Sequence, residues 1–134
     1  MTLVDANVLL DVATDDPRWA DWSERQLDVA TSRGRVIVSD IAYAEFLVGY
    51  SRIEDADAFL AHAGVDVLPM PRAGLFLAGK VHRAYRARGG TRTGVLPDFL
   101  IGAHAAVAGL PLLTRDVARY RTNYPSVVLI APGT

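Results

Sequence analysis

Leu3-Val4-Asp5-Ala6-Asn7-Val8-Leu9-Leu10-Asp11 opens the chain and decides how the rest of it is read. Thr2 to Val4 read as a short apolar strand directly after Met1, and Val8 to Ala13 as a short helix. Asp5 and Asn7 fall where that strand ends and that helix begins. In an open parallel α/β sheet, ligands bind in the crevice beyond the carboxyl ends of the strands. An acid at the end of a central first strand therefore stands where chemistry is done. Asp and Asn are also favoured helix caps, because their side-chain oxygens accept from free backbone N–H groups. Asp5 taken alone admits both readings.

Working outward, Thr14-Asp15-Asp16-Pro17 is a turn, with proline suited to a first helical position. A helix over Arg18 to Arg33 follows, with Trp19, Trp22, Leu27 and Ala30 as its apolar side and Gly34 as its stop. Val36-Ile37-Val38 is a β-branched run of the kind buried on both faces of a parallel sheet. The segment Ile41 to Tyr50 is apolar almost all round and is expected to be a buried helix. Glu45 is its only charge, on a face with Ile41, Ala44 and Val48. A buried acid needs a partner, here either an arginine or a metal in an internal acidic site.

Ser51 to Ala63 reads as a further helix with Ile53, Ala56, Phe59 and Leu60 inward, and Val65 to Leu68 as a third strand. A long helix over Arg72 to Arg88 turns Leu75, Ala78, Gly79, His82 and Tyr85 to one side, while Lys80, Arg83, Arg86 and Arg88 read as a solvated face or, less simply, as phosphate contacts for a nucleic acid. Gly89 to Gly94 is expected to be a mobile loop beside the site and lacks the Gly-Lys-Ser/Thr of a phosphate loop. A second nearly all-apolar helix starts at Leu96, with Asp98 in its first turn, where helix-dipole complementation would explain an acid unaided. Leu110 to Thr114 is a fourth strand with Asp116 just beyond it, a possible cap for a helix over Val117 to Tyr124. Val127 to Ile130 is the last strand. About five short strands alternating with helices predict a three-layer α/β/α sandwich around a mostly parallel sheet, one domain over residues 1–134.

Composition excludes several classes. The chain of 134 residues is half hydrophobic, enough for a core without staples. It has no cysteine, which removes disulfides, thiolate zinc sites and cysteine nucleophiles. A net charge of -1 argues against nucleic-acid binding by bulk electrostatics but leaves local phosphate contacts through a metal. No apolar run reaches the roughly 20 residues of a membrane span, and the N-terminus has no leader character. A cytoplasmic protein is expected. His62 and His82 lack ligand-spaced companions, and His104 reads as a core or edge histidine rather than a base.

Right-handed crossovers bring Asp5, Glu45, Asp98 and Asp116 toward one edge of the sheet. Gathered carboxylates repel one another unless a cation neutralises them. Oxygen ligands without Cys or paired His suit Mg²⁺ or Mn²⁺, one ion or two. Such a site is equipment for phosphodiester hydrolysis.

Asp5-Ala6-Asn7, Ser39 with Glu45 downstream, Asp98 opening an apolar helix, and Thr114-Arg115-Asp116 together resemble a PIN domain, of the VapC toxin type from VapBC toxin–antitoxin systems. The resemblance covers essentially the whole chain. It implies that Asp5, Glu45, Asp98 and Asp116 form the metal and catalytic site, supported by hydrogen bonds from Asn7, Ser39 and Thr114. It further implies Mg²⁺- or Mn²⁺-dependent endoribonuclease activity on RNA, a homodimer, and a VapB-type antitoxin seated in an apolar groove. Trp19, Trp22, Phe46, Leu47 and Phe59 are candidates to line that groove, with core packing as the alternative for each. Asp11 has no assigned role, and helix capping is enough for Asp40. Two other classes stay open: a haloacid-dehalogenase-like phosphatase, which wants Asp where Asn7 stands, and a non-catalytic metal- or partner-binding module.

Overall fold

The structure is a computed structural model that describes residues 1–92 and 95–133. Of the expected Gly89 to Gly94 loop, Thr93 and Gly94 lie outside the described residues.

Five strands, β1 (Thr2–Val4), β2 (Val36–Ser39), β3 (Val65–Leu68), β4 (Leu112–Leu113) and β5 (Leu129–Ile130), form one parallel sheet in the order β3-β2-β1-β4-β5. The first strand is central, as its apolar character requires: Leu3 and Val4 are fully buried. Successive strand side chains point to opposite faces. Leu3 and Val4, and likewise Val36, Ile37 and Val38, are all shielded, so helices cover both faces. Edge strands β3 and β5 are correspondingly more exposed.

From β1 the chain adds β2 and β3 on one side, then returns to place β4 and β5 on the other. The order therefore reverses between β1 and β4, and a crevice opens beyond the carboxyl ends of strands at such a switch point. Asp5 and Thr114 are the residues immediately past those two strands, and Asp5 N–H donates to the Leu113 carbonyl at 2.9 Å.

The helices are α1 (Ala6–Ala13), α2 (Ala20–Arg33), α3 (Asp40–Leu47), α4 (Ile53–Ala63), α5 (Arg72–Ala87), α6 (Leu96–Ala108) and α7 (Ala118–Arg121). Helix α2 starts two residues later than its sequence pattern suggests, because Asp16 Oδ1 accepts from the N–H groups of Arg18 and Trp19 and holds a turn there. Its inward stripe is Ala20, Ser23, Leu27 and Ala30, with both tryptophans only partly covered. Helix α3 differs most from expectation. It ends at Leu47 rather than Tyr50, and only Ala42 and Phe46 are buried. Apolar composition all round did not mean burial all round: Ala44 and Val48, on Glu45's face, are exposed. Strands four and five shrink to two residues each, and the helix expected over Val117 to Tyr124 is the single turn α7.

Two tight approaches fix the last layer. Tyr124 lies against the Cα of Gly102 on α6, where a Cβ would fall within 3.1 Å of Tyr124 Cγ and closer to Cδ2 and Cε2. Its hydroxyl donates to the Phe99 carbonyl at 2.6 Å. Gly90 likewise leaves room for the Tyr85 ring.

Candidate metal centre

Asp5 is completely buried at the carboxyl end of β1. Both readings of it hold together: Oδ1 caps α1 by accepting from Ala6 N–H at 2.8 Å. The other oxygen, Oδ2, accepts from the Tyr120 hydroxyl at 2.6 Å, the Thr114 hydroxyl at 3.0 Å and the Asn7 amide at 3.3 Å. Asn7 also donates to Thr114 Oγ1 at 3.2 Å and accepts from Arg115 N–H, which ties the two sides of the switch point together. Asp116 N–H donates to the same Thr114 hydroxyl.

Arg119, on α7, stands at the focus of the acids. Its guanidinium lies 3.1 Å from Asp98 Oδ1, 3.5 Å from Asp116 Oδ2 and 3.7 Å from Asp5 Oδ2. Asp98 is buried in the first turn of α6, whereas the Asp116 side chain is 44% exposed. Asp116 is not a helix cap, because Val117 occupies that position. Glu45 reaches the same neighbourhood from α3, and its Oε1 is buried without a hydrogen-bond partner. Burial pushes the Glu45 carboxyl above the usual range, Asp5 and Asp98 push it further, and Arg119 opposes them. Asp98 is likewise raised, first by burial and then by Asp5 and Asp116, against the pull of Arg119 and Arg92. Burial and the adjoining Asp5 charge hold the Tyr120 phenol well above its ordinary value.

The structure thus brings together Asp5, Asp98 and Asp116 around one guanidinium, with Glu45 close enough to feel the charges of Asp5 and Asp98. Among the described residues, no three acidic or histidine side chains already form a metal cage. The donor set nonetheless suits a hard cation. It consists of carboxylate oxygens only, and the orphaned Glu45 Oε1 is an acceptor whose burial costs free energy until a cation or proton meets it.

The three expected supporting residues separate. Asn7 and Thr114 hydrogen-bond Asp5 directly. Ser39 instead caps α3, accepting from Ala42 N–H at 3.1 Å, so what it anchors is the helix that carries Glu45. Asp40 is accordingly not the cap; its carboxylate accepts from Met70 N–H and fastens the end of β3. Asp11, unassigned from sequence, is buried and accepts from Ser23 Oγ and Arg115 Nε, both at 2.8 Å. That pair clamps α1, α2 and the segment after β4.

Arg119 and Tyr120 were not singled out by sequence. A basic residue three positions after Asp116 was the one available signal, and it means something only once α7 is known to turn it back over the strand ends. Of the expected groove residues, Phe46 is a correction: it is fully buried between Tyr50 and Phe59 and lines no surface. Trp19, Trp22, Leu47 and Phe59 are partly exposed. Exposed apolar side chains close to that region in sequence include Val48 and Ile53. None of the described helices is long and apolar enough to cross a membrane.

The PIN domain family model matches residues 2–123. Comparison with curated protein sequences gave no match. Solved structures that resemble the chain include VapBC2 from Rickettsia felis bound to a promoter DNA fragment, with a TM-score of 0.74 at 17% identity over 97% of both chains. VapBC-1 from nontypeable Haemophilus influenzae superposes with a TM-score of 0.72 at 19% identity, covering 97% of this chain and 96% of that one. FitAcB from Neisseria gonorrhoeae gives 0.67 at 19% identity over 96% of each. At these identities the likeness speaks for the fold. The family match leaves the haloacid-dehalogenase-like phosphatase alternative without support. With the parallel sheet, the switch-point site and a family match over nearly its whole length, the chain belongs to the PIN domain family.

Proposed function

We propose that this chain is a metal-dependent endoribonuclease of the VapC type, the toxin of a toxin–antitoxin pair, acting as a homodimer in the cytoplasm. The observation that carries the reading is the convergence of Asp5, Asp98 and Asp116 on one cation, with the unpartnered Glu45 oxygen beside them. Similar structures include a toxin–antitoxin complex from Klebsiella pneumoniae and VapBC2 from Rickettsia felis, which supports a VapB-type antitoxin as the partner that holds the activity in check.

Asp5, Glu45, Asp98 and Asp116 would hold Mg²⁺ or Mn²⁺, one ion or two. When bound, the metal lowers the pKa of an attacking water and offsets the charge on the phosphate. The remaining work belongs to the chain. Tyr120, Thr114 and Asn7 fill Oδ2 of Asp5 and fix the plane of the carboxylate. A carboxylate has about four acceptor positions, so Oδ1, engaged here by Ala6 N–H, keeps capacity for a cation. Ser39 sets Glu45 through its cap on α3. Burial raises the pKa values of Glu45 and Asp98, so protons compete with a divalent cation for their carboxylates as the pH falls.

The test is cleavage of whole-cell RNA by the purified chain with Mg²⁺ or Mn²⁺, beside Asp5→Asn, Asp98→Asn and a chelator control. Cutting that requires metal and disappears in both folded variants is expected. Metal-independent cutting, or cutting retained in both variants, would overturn the assignment of these acids.

A further inference from the structure

Beside the acids, a cleft of about 370 Å³ opens between the end of α5, the start of α6 and α7. Its charged lining is unbalanced: Arg88, Arg92 and Arg119 against Asp98, in a chain whose net charge is -1. Two of these arginines, Arg88 and Arg119, are held by side-chain contacts, and Arg92 is anchored through its backbone. Arg88 donates to Asn123 Oδ1 at 2.5 Å and lies over the Tyr85 ring, 5.8 Å from its centroid. Tyr85 is packed on Phe99, and its hydroxyl accepts from Arg92 N–H at 3.0 Å. Gly90 is what lets the ring lie there, since a Cβ would stand 2.5 Å from Tyr85. Arg119 joins the cleft to the acids. An aromatic base, three guanidinium groups and a carboxamide therefore run in one groove that ends at Asp98.

We propose that this cleft is the path of the RNA strand on one side of the scissile bond. Arg88 and Arg92 contact successive backbone phosphates, and Arg119 meets the phosphate nearest the acids. Phosphate pairing of this kind fixes register without reading sequence. Of the basic residues expected on α5, Arg88 lines this cleft, whereas Lys80, Arg83 and Arg86 are outside it. The proposal rests on the nuclease reading and is tested apart from it.

The experiment measures binding of a fluorescein-labelled mixed-sequence single-stranded RNA, by anisotropy in EDTA at several salt concentrations. Wild type is compared with Arg88→Gln/Arg92→Gln and with Arg83→Gln/Arg86→Gln, which changes net charge equally away from the cleft. Two lost phosphate contacts should lower the salt slope, log K against log salt, by about 1.4 for a single strand. The control pair should leave it near wild type. In Mg²⁺ or Mn²⁺ the cleft variant should raise KM several-fold with kcat little changed. Equal slopes for the two double variants, or no RNA binding by the wild type, would overturn the cleft. If wild type and the control still cut RNA while the slopes are equal, the nuclease reading survives alone. If RNA binding shows the predicted slope but nothing is cut with metal, the cleft stands only as an RNA-binding groove and the nuclease reading falls.

Discussion

Gly102→Ala is the substitution on which local and tertiary reasoning disagree in sign. Gly102 lies in the middle of α6, where alanine is favoured over glycine by about 1 kcal/mol on helix propensity. The structure predicts the opposite outcome. The new Cβ would stand 3.1 Å from Tyr124 Cγ and nearer still to two other ring atoms. Tyr124 is buried and cannot swing into solvent as the end of a flexible side chain would. Overpacking of this kind costs about 1–3 kcal/mol. A displaced ring also loses the 2.6 Å bond to the Phe99 carbonyl, about 1 kcal/mol more. The propensity gain cancels roughly the hydrogen-bond loss, leaving a net destabilisation of about 1–3 kcal/mol. In urea unfolding this is a midpoint lowered by on the order of 1 M. Gly79→Ala is the matched control: the site is exposed on α5 with nothing within 4 Å of its Cβ. It should gain about 1 kcal/mol. Adding Tyr124→Leu to Gly102→Ala should recover part of the loss, a coupling of neighbours seen in a double-mutant cycle. If Gly102→Ala proved as stable as Gly79→Ala, the close packing of Tyr124 on α6 would be refuted.

Other consequences can be checked with the same protein. Tyr120→Phe removes a donor to the buried Asp5 carboxylate, leaving Thr114 and Asn7; a loss of about 1.5 kcal/mol at neutral pH is expected, and an unchanged urea midpoint would contradict it. Arg119→Met takes the cation from among Asp5, Asp98 and Asp116. The variant should melt lower without metal and gain more in Tm than wild type when Mg²⁺ or Mn²⁺ is added; equal metal-induced shifts would show that the guanidinium and the ion do not compete. Burial lowers the pKa of His104 below 6.5 despite the nearby Asp40 charge. Its folded state takes up a proton less readily than its unfolded state, so its contribution to stability is present above about pH 6.5 and lost as pH falls through the folded value. His104→Met should flatten that part of the stability–pH profile, read by urea midpoints between about pH 7 and 5; an unaltered profile would exclude the imidazole as its source.

Much of the fold is written locally. β-branched runs, glycine stops and the alternation of strand with helix identified every strand position and most helix spans, and Leu3-Val4 announced a central strand by lacking any polar face. Element ends were less legible. Strands β4 and β5 are short because they pair with each other over two residues only, Leu112 with Leu129 and Leu113 with Ile130, and pairing depends on the neighbouring strand rather than on the apolar run. Helix α3 misled for a related reason. Side chains of one composition surround it, and only the packing of Ala42 and Phe46 against the core determines which face is inward.

Asp5, Asn7, Glu45, Asp98, Thr114 and Asp116 were noticeable in sequence because each is a polar residue at a strand end or in an apolar helix, where an unpaired polar group is costly. That cost is a local property, so the sequence alone reveals it. What it determined was therefore the parallel α/β class, the switch-point acids and the family resemblance. Only the tertiary structure decided that Ser39 caps a helix, that Asp11 is neutralised by Arg115, and that Arg119 and Tyr120 close over Asp5. These are contacts between residues as many as 115 positions apart. Coulomb and hydrogen-bond energies fall off over a few ångströms of space, a distance that spacing along the chain does not encode.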